Sequence, residues 1–377
     1  MHEPPTMLLT EFRGQFDRAA FTERLQLVIQ ANPWLAGRLR RTQDKGVVVT
    51  CPESCDTERH FFSLADIGLR IDCQQYSEMV SKLMAYSIPD GSQSVDKDQV
   101  LFTVLHTETG DGKFAIITSL CHCIGDGFTA YRIFGMLSHN QPVESLDAVR
   151  IPNFQRAVDA AIGPVAQAFM TSPWFIAGSL ASCLRWSPFS CGLACVRPEW
   201  VEDAKKGHDA TSGVPFLSTN DILTAHLCDK FDAAGATMVI NFRERLEPAT
   251  RNHAGNYESL AVFDERCKNP AEVRRLMMNP PDFSGGMIQM PGIMDMLAFR
   301  YPLITNWLSI QQDLCLPSCQ QVVHLPIYKM AGPFFAVGVV FKPNPGKIAV
   351  LYGIRDSKCF KALQESAALD HSAPLVQ

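Results

Sequence analysis

The sequence has few charged residues, and its basic residues are not clustered. Its 377 residues include 34 Lys and Arg against 39 Asp and Glu, which gives a formal net charge of -5 at pH 7. Binding to nucleic acid depends on clustered Lys and Arg that neutralise phosphates. The sequence therefore argues against a nucleic-acid partner.

Motifs of several common enzyme and metal-binding classes are also absent. The chain has no Gly-x-Ser-x-Gly elbow, no Walker loop, no His-Glu-x-x-His and no Cys-x-x-Cys. Three Cys-x-x-x-Cys pairs lack both the two-residue spacing and the accompanying histidines that are typical of structural zinc. These pairs are Cys51 and Cys55, Cys191 and Cys195, and Cys315 and Cys319. We expect no metal site.

The cysteine count and the first residues of the chain indicate the cellular compartment of the protein. Thirteen cysteines are an odd number, and Met1-His-Glu-Pro-Pro lacks the basic and then apolar segments of a secretion signal. A cytoplasmic protein with reduced thiols is the prediction. We also expect a monomer.

Charged residues are missing from one long stretch, 160–184. Its length would cross a bilayer, but Pro164 and Pro173 interrupt it and several polar residues dilute it. We expect a packed crossover between two halves of the chain. Peripheral contact with a membrane surface and a transmembrane helix are the alternatives.

The length and the mixture of patterns predict two lobes. A chain of 377 residues exceeds what one hydrophobic core usually organises. Helical and strand patterns alternate in both halves without a strict βαβ order, which favours α+β layers with mixed sheets. We predict an N-terminal lobe over 1–195 and a C-terminal lobe over 196–377.

A histidine stands at the end of an apolar strand pattern. The segments 100–107 and 113–121 are β-prone, and Thr109-Gly-Asp-Gly112 between them is typical of a hairpin turn. The second strand leads to His122, and Gly125-Asp126-Gly127 then precedes a helical pattern over 128–139. His122 is therefore expected at the rim of a buried sheet, where a half-desolvated imidazole can meet a ligand.

Two other interpretations of this stretch stay open on the residues alone. His122 can be a hydrogen-bonded core histidine, with Asp126 only capping the next helix. Gly125-Asp-Gly127-Phe-Thr-Ala130 also fits the dinucleotide fingerprint Gly-x-Gly-x-x-Ala. An aspartate beside a pyrophosphate and a hairpin strand in place of a βαβ strand count against a dinucleotide enzyme.

Five segments, in order along the chain, resemble the BAHD acyltransferases and their relatives, the chloramphenicol-acetyltransferase-like and condensation-domain enzymes. His122-Cys-Ile-Gly-Asp126-Gly127 is similar to the family's His-x-x-x-Asp-Gly motif. The other four are Asn32-Pro-Trp-Leu-Ala-Gly-Arg-Leu39, Ser218-Thr-Asn-Asp-Ile-Leu-Thr-Ala225, Asn241-Phe-Arg243-Glu-Arg245-Leu-Glu-Pro248 with Gly255-Asn256, and Thr305-Asn-Trp307.

The resemblance implies a fold and a reaction. The fold would be chloramphenicol-acetyltransferase-like, with two similar lobes and an active-site channel between them. The reaction would move an acyl group from acyl-CoA to a hydroxyl or amine of a small molecule, such as a secondary metabolite or a lipid. Acyl-CoA would be a co-substrate, and no bound cofactor is expected.

The resemblance also implies residue roles. His122 would be the general base, and Asp126 would turn away from the substrate to pair with Arg243, with Gly127 supporting the loop. Thr305 and Trp307 would lie on the acceptor side or near the oxyanion, although packing at a strand end explains them equally well. The chain departs from the family after Tyr328, where Lys-Met-Ala-Gly-Pro333 replaces the Asp-Phe-Gly-Trp-Gly loop. A non-catalytic homologue that binds a lipid or an acyl group is therefore the alternative function.

Overall fold

Two mixed β-sheets form the centre of the protein in a computed structural model that describes residues 3–44, 46–53, 56–185, 188–209, 213–278, 292–330 and 332–373. The first sheet runs antiparallel except at one edge, where β4 is parallel to β5. Its strands, in spatial order, are β11 (Gln320–Ile327), β1 (Thr6–Arg13), β6 (Lys113–Leu120), β5 (Phe102–Gly110) and β4 (Phe61–Ser63).

The second sheet has seven strands among the described residues and is antiparallel except around β10, which is parallel to both neighbours. In spatial order the strands are β14 (Leu369–Asp370), β7 (Ser190–Val196), β13 (Ala349–Ile354), β12 (Ala336–Phe341), β10 (Leu303–Asn306), β8 (Ala236–Asn241) and β9 (Glu258–Phe263). A separate hairpin joins β2 (Arg38–Thr42) to β3 (Gly46–Thr50).

Helices accompany both sheets, so the α+β organisation expected from the sequence is confirmed. They are α1 (Arg18–Ala31), α2 (Tyr76–Met84), α3 (Gly91–Ser94), α4 (Gly127–Met136), α5 (Phe154–Met170), α6 (Pro173–Arg185), α7 (Pro198–Lys206), α8 (Thr219–Lys230), α9 (Pro270–Met278), α10 (Ile293–Ala298) and α11 (Ser357–Gln364).

Local sequence chemistry accounts for where several helices begin. Asp17 caps α1 by accepting a hydrogen bond from the Ala20 amide. Ser218 and Asp221 form a reciprocal capping box at α8, because each side chain accepts from the other residue's backbone amide. Asp90 caps the short helix α3, where its side chain accepts from the Gln93 amide.

The uncharged stretch 160–184 forms the end of α5 and most of α6. Gly163, at φ 81°, and Pro164 break the first helix, because neither residue continues a regular helix at that position. No helix in the described ranges is long and apolar enough to cross a membrane. Phe169 and Phe175 pack inward in aromatic contact, whereas Ile176, Leu180 and Leu184 lie exposed at four-residue intervals along α6.

The two sheets exchange strands relative to the predicted lobe boundary. β7, most of which lies before residue 196, pairs with β13 in the second sheet. β11, far into the second half of the sequence, pairs with β1 in the first sheet. Each half of the sequence therefore contributes a strand to the sheet formed mainly by the other half. That the lobes are divided at residue 195 stays a prediction.

Candidate active site

His122 lies just beyond the end of β6, where the first sheet approaches the second. The preceding residue is held in place because the Cys121 amide donates to the Leu101 carbonyl at 2.9 Å. The His122 carbonyl accepts a hydrogen bond of 2.7 Å from the side chain of Asn256, which precedes β9 of the second sheet. The imidazole keeps 20% of its surface exposed, so it is accessible at the sheet rim.

Two carboxylates flank the His122 ring, one beside each nitrogen. Glu3, which precedes β1, places Oε2 3.0 Å from Nδ1, and Glu258, at the start of β9, places Oε1 3.7 Å from Nε2. Nδ1 is buried and its contact with Glu3 is an ion-pair contact without the alignment of a hydrogen bond. Nε2 is therefore the nitrogen that remains for a substrate.

The carboxylates change the proton affinity of the imidazole. Burial alone would lower the pKa of His122, but Glu3, Glu258 and Asp126 favour the charged ring and together raise that pKa to about 9. Burial, with Asp126 next in importance, raises the pKa of Glu258, and His122 opposes that rise. The ring therefore holds a proton at neutral pH. The pKa of His122 lies above the near-neutral value that suits a general base.

Asp126 and Arg243 form the ion pair that the resemblance implied. The guanidinium binds the carboxylate through two hydrogen bonds, Nη1 to Oδ2 at 2.7 Å and Nη2 to Oδ1 at 3.1 Å. Both side chains are buried, with 1% of Arg243 and none of Asp126 exposed. Asp126 turns into the protein, and its Oδ1 also accepts from the Thr129 amide at the start of α4.

Arg243 is satisfied by oxygens from two segments besides Asp126. It donates to the backbone carbonyls of His253 and Gly255 and to the side chains of Asn241 and Thr129. A buried charge is stable only when it is paired and its remaining donors are bonded, and this network meets both conditions. It joins the loop after β6 to the segments 241–243 and 253–255, and so fixes the backbone that follows His122.

The two glycines around Asp126 are in different surroundings. A Cβ on Gly127 would meet only the Ile310 Cδ1 at 3.6 Å, an ordinary contact. A Cβ on Gly125 would lie 2.7 Å from Cγ2 and 2.9 Å from Cβ of Thr129. The close approach that requires glycine is therefore at Gly125, whereas Gly127 was the residue singled out from the motif.

Thr305 and Trp307 lie together at the end of β10, next to α4. The Trp307 indole donates to the Thr305 hydroxyl at 3.0 Å, and its ring meets Tyr131 of α4 edge to face at 5.7 Å. No hydrogen bond or ion pair joins either residue to His122 in the part of the chain that the structure describes. Their assignment to the acceptor side stays a prediction.

The surroundings of α4 disagree with a dinucleotide site. β6, which leads into Gly125-Asp126-Gly127, is antiparallel to both β1 and β5, whereas the fingerprint requires the first strand of a parallel βαβ unit. The Asp126 carboxylate also occupies the start of α4, where the pyrophosphate would bind. The geometry at Gly125-Asp126-Gly127 therefore does not fit a dinucleotide-binding site.

Glu3 and Glu258 were not predicted from the sequence. Glu258 could have been noticed in the sequence, since it lies two residues after Gly255-Asn256 and is the only charged residue of β9. Glu3 had none, because its contact with His122 spans more than a hundred residues. Among the described residues, no three His, Cys, Asp or Glu side chains are grouped so as to hold a metal ion.

Comparison with solved structures identifies the fold. TRI101 of F. sporotrichioides, solved with coenzyme A and T-2, has a TM-score of 0.61 at 12% identity, covering 97% of this chain and 94% of its own. The first condensation domain of the CDA synthetase has a TM-score of 0.55 at 13% identity over 99% and 92%. Polyketide synthase associated protein 5 of Mycobacterium tuberculosis has a TM-score of 0.56 at 14% identity over 96% and 92%.

No family model matches the sequence, and no curated protein matches it. Identities of 12–14% show a common fold and leave the chemistry to be argued from the residues. The structural likeness nevertheless extends over nearly the whole chain in each case. The chain therefore has the two-lobed, chloramphenicol-acetyltransferase-like α+β fold that condensation domains and TRI101 share.

Proposed function

We propose that the protein is an acyltransferase that uses acyl-CoA as donor, a small molecule as acceptor and His122 as general base. The observation that carries the proposal is an accessible imidazole at the rim of one sheet, held by groups from the other. Asn256 binds the His122 carbonyl, and the buried Asp126–Arg243 pair holds the loop that follows. Such positioning is what a general base needs to reach the proton of a bound acceptor.

The chemistry requires no covalent enzyme intermediate. With the ring neutral, Nε2 takes the proton of the acceptor as the acceptor oxygen or nitrogen attacks the thioester carbonyl carbon. The carbon–sulfur bond then breaks, and His122 returns the proton to the departing coenzyme A thiolate. The fold supports this assignment, because TRI101 structures of the same fold were solved with coenzyme A and small-molecule toxins.

Release of free thiol from acyl-CoA tests the proposal. Purified protein is incubated with short- and long-chain acyl-CoA and a panel of alcohols and amines, and products are identified by mass. We expect His122→Ala to lower kcat/KM by about 10²–10⁴-fold, the usual contribution of a general base. His139→Ala is the matched control, because His139 is an exposed histidine in the same lobe. Equal turnover by wild type and His122→Ala would contradict the proposal.

One observation favours a second function, binding to a membrane surface. Ile176, Leu180 and Leu184 form a stripe on α6 with 48%, 67% and 92% of their surface exposed, and Trp174 lies exposed at the start of the same helix. Exposed apolar residues in a row with a tryptophan at one end are typical of helices that rest in a lipid interface. Flotation with liposomes tests this, and Leu180→Glu with Leu184→Glu should abolish it without unfolding the protein.

A further inference from the structure

Glu258 presents a carboxylate to the same space as the reactive nitrogen of His122. Its Oε1 lies 3.7 Å from Nε2, which is too far for a hydrogen bond between them. The side chain is 24% exposed, and in the described part of the chain no hydrogen bond is made to its oxygens. The carboxylate is therefore partly exposed beside Nε2 and has acceptor capacity to spare.

The distance between the two atoms suits a single shared donor atom. A nitrogen or oxygen placed about 2.9 Å from each of two acceptors can bridge a 3.7 Å gap. The two acceptors here are neutral Nε2 and the Glu258 carboxylate. An alcohol has one hydrogen to donate and can satisfy only one of them. A neutral primary amine has two and can satisfy both while its lone pair stays free to attack.

The charge around His122 points in the same direction. The negative charge of Asp126 is neutralised by Arg243, which leaves Glu3 and Glu258 around one imidazole. Arg150 donates its hydrogen bonds to the backbone carbonyls of Cys123 and Ala254, and none of the ion pairs of the described residues joins it to Glu3 or Glu258. At a pH high enough to ionise Glu258 and to leave the ring neutral, two carboxylates lie beside one uncharged imidazole. The site then attracts a cation more strongly than a neutral group, and an amine arrives as ammonium.

We propose that the acceptor is a primary amine and that Glu258 selects it by accepting one N–H hydrogen bond while His122 Nε2 accepts the other. This inference rests on the proposed acyltransferase function. The ammonium first loses one proton to solvent. The amine nitrogen then forms a bond to the thioester carbon, its second proton passes to Nε2, the carbon–sulfur bond breaks and the thiolate takes that proton. The products are an amide and free coenzyme A.

Matched pairs of acceptors test the choice of nucleophile. Acetyl-CoA and a longer acyl-CoA are offered with 2-phenylethylamine against 2-phenylethanol, tryptamine against tryptophol, and octylamine against octanol. Thiol release and product mass are measured for wild type, Glu258→Gln and Glu258→Asp. We expect wild type to prefer each active amine over its alcohol by at least about tenfold, the effect of one hydrogen bond to a charged group.

The variants separate selection from general damage. Glu258→Gln should lower the ratio of kcat/KM for each amine to kcat/KM for its alcohol by about 10–100-fold, whereas Glu258→Asp should retain the amine preference. Glu3→Gln, which removes the carboxylate on the other nitrogen, should change both acceptor classes equally. Thermal unfolding of each variant checks that it is folded. The preference for amines is also measured on the wild type alone, so the test remains valid if a variant does not fold.

The failures are distinguishable. Thiol release with alcohols only, a wild type that does not prefer amines, or equal losses for both classes in Glu258→Gln would overturn the amine assignment and leave acyl transfer standing. Absence of thiol release with every pair would overturn the proposed function itself.

Discussion

His122 carries the chemistry in this proposal, yet its neighbours hold it in the protonated form. A general base has to be neutral when it acts, and the adjacent carboxylates oppose that state by raising the pKa of the ring to about 9. Activity should therefore rise with pH over the range in which the ring loses its proton. An aliphatic ammonium has a proton affinity close to this, so proton exchange between such an acceptor and the ring would be nearly balanced.

Removing Glu3 should shift that pH dependence. Glu3→Gln deletes a negative charge 3.0 Å from Nδ1, so the imidazolium is less stabilised and the pKa of His122 falls. The rising limb of kcat/KM against pH should move from near pH 9 to lower pH. The measurement uses an arylamine acceptor, which does not titrate in this range, so that the limb reports the free enzyme.

Glu23→Gln is the control for that shift, because Glu23 is an exposed carboxylate on α1 and should leave the limb unchanged. A limb at the same pH in Glu3→Gln would show that Glu3 does not set the proton affinity of the ring.

At the scale of elements, the loop between β6 and α4 is the part that the site depends on. Thr129, in the first turn of α4, bonds to Asp126, Arg243 and Gly255 at once. The loop is therefore held by its contact with a second lobe more than by its own turn. A substitution that displaces Thr129 should act on all three partners together.

Gly125→Ala and Gly127→Ala should have opposite consequences although they are two residues apart. The new methyl at 125 would overlap the Thr129 side chain and should destabilise the protein by about 1–3 kcal/mol, while lowering activity through the displaced network. At 127, in the first turn of α4, alanine has room and a better helix propensity. Urea unfolding and thiol release measure both effects. Equal losses at the two positions would contradict the account of the loop.

The elements with strong local patterns could be predicted from the sequence. Residues close together in sequence determine each of these structures. Examples are the apolar stripe of Phe21 and Leu25 on α1, the capping box at Ser218 and the Gly-Asp-Gly112 turn. In the site, the Asp126–Arg243 pair followed from the resemblance because both residues lie inside recognisable segments.

Other elements could not be predicted because their cause is distant in sequence. β11 contains His324 and Pro326 within an apolar segment, and its pairing partner β1 lies some three hundred residues earlier. The His324 ring is satisfied there by the hydroxyls of Thr10 and Tyr131, so a polar residue becomes part of a buried strand only in the assembled fold. The contact of Glu3 with His122 has the same origin.

At the scale of the whole molecule, the exchanged strands make the two halves of the sequence depend on each other. Val323, Leu325 and Ile327 of β11 are almost fully buried and pack in one cluster with Leu9 and Ile117 of the first sheet. Burial of three such side chains contributes roughly 5–9 kcal/mol, which is comparable with the whole stability of a domain. The first sheet should not persist without its edge strand.

A fragment of residues 1–195, which corresponds to the predicted N-terminal lobe, should therefore show no cooperative unfolding transition. It would lack β11 and leave the β1 edge and its apolar neighbours open to solvent or to aggregation. Circular dichroism during heating and amide hydrogen exchange would measure this against the full chain. Co-expression with residues 196–377 is the control, and it should restore protection of the β1 amides because β11 is again present. A fragment that melts cooperatively near the midpoint of the intact protein would instead show that the first 195 residues fold by themselves and that β11 only adds to a finished sheet.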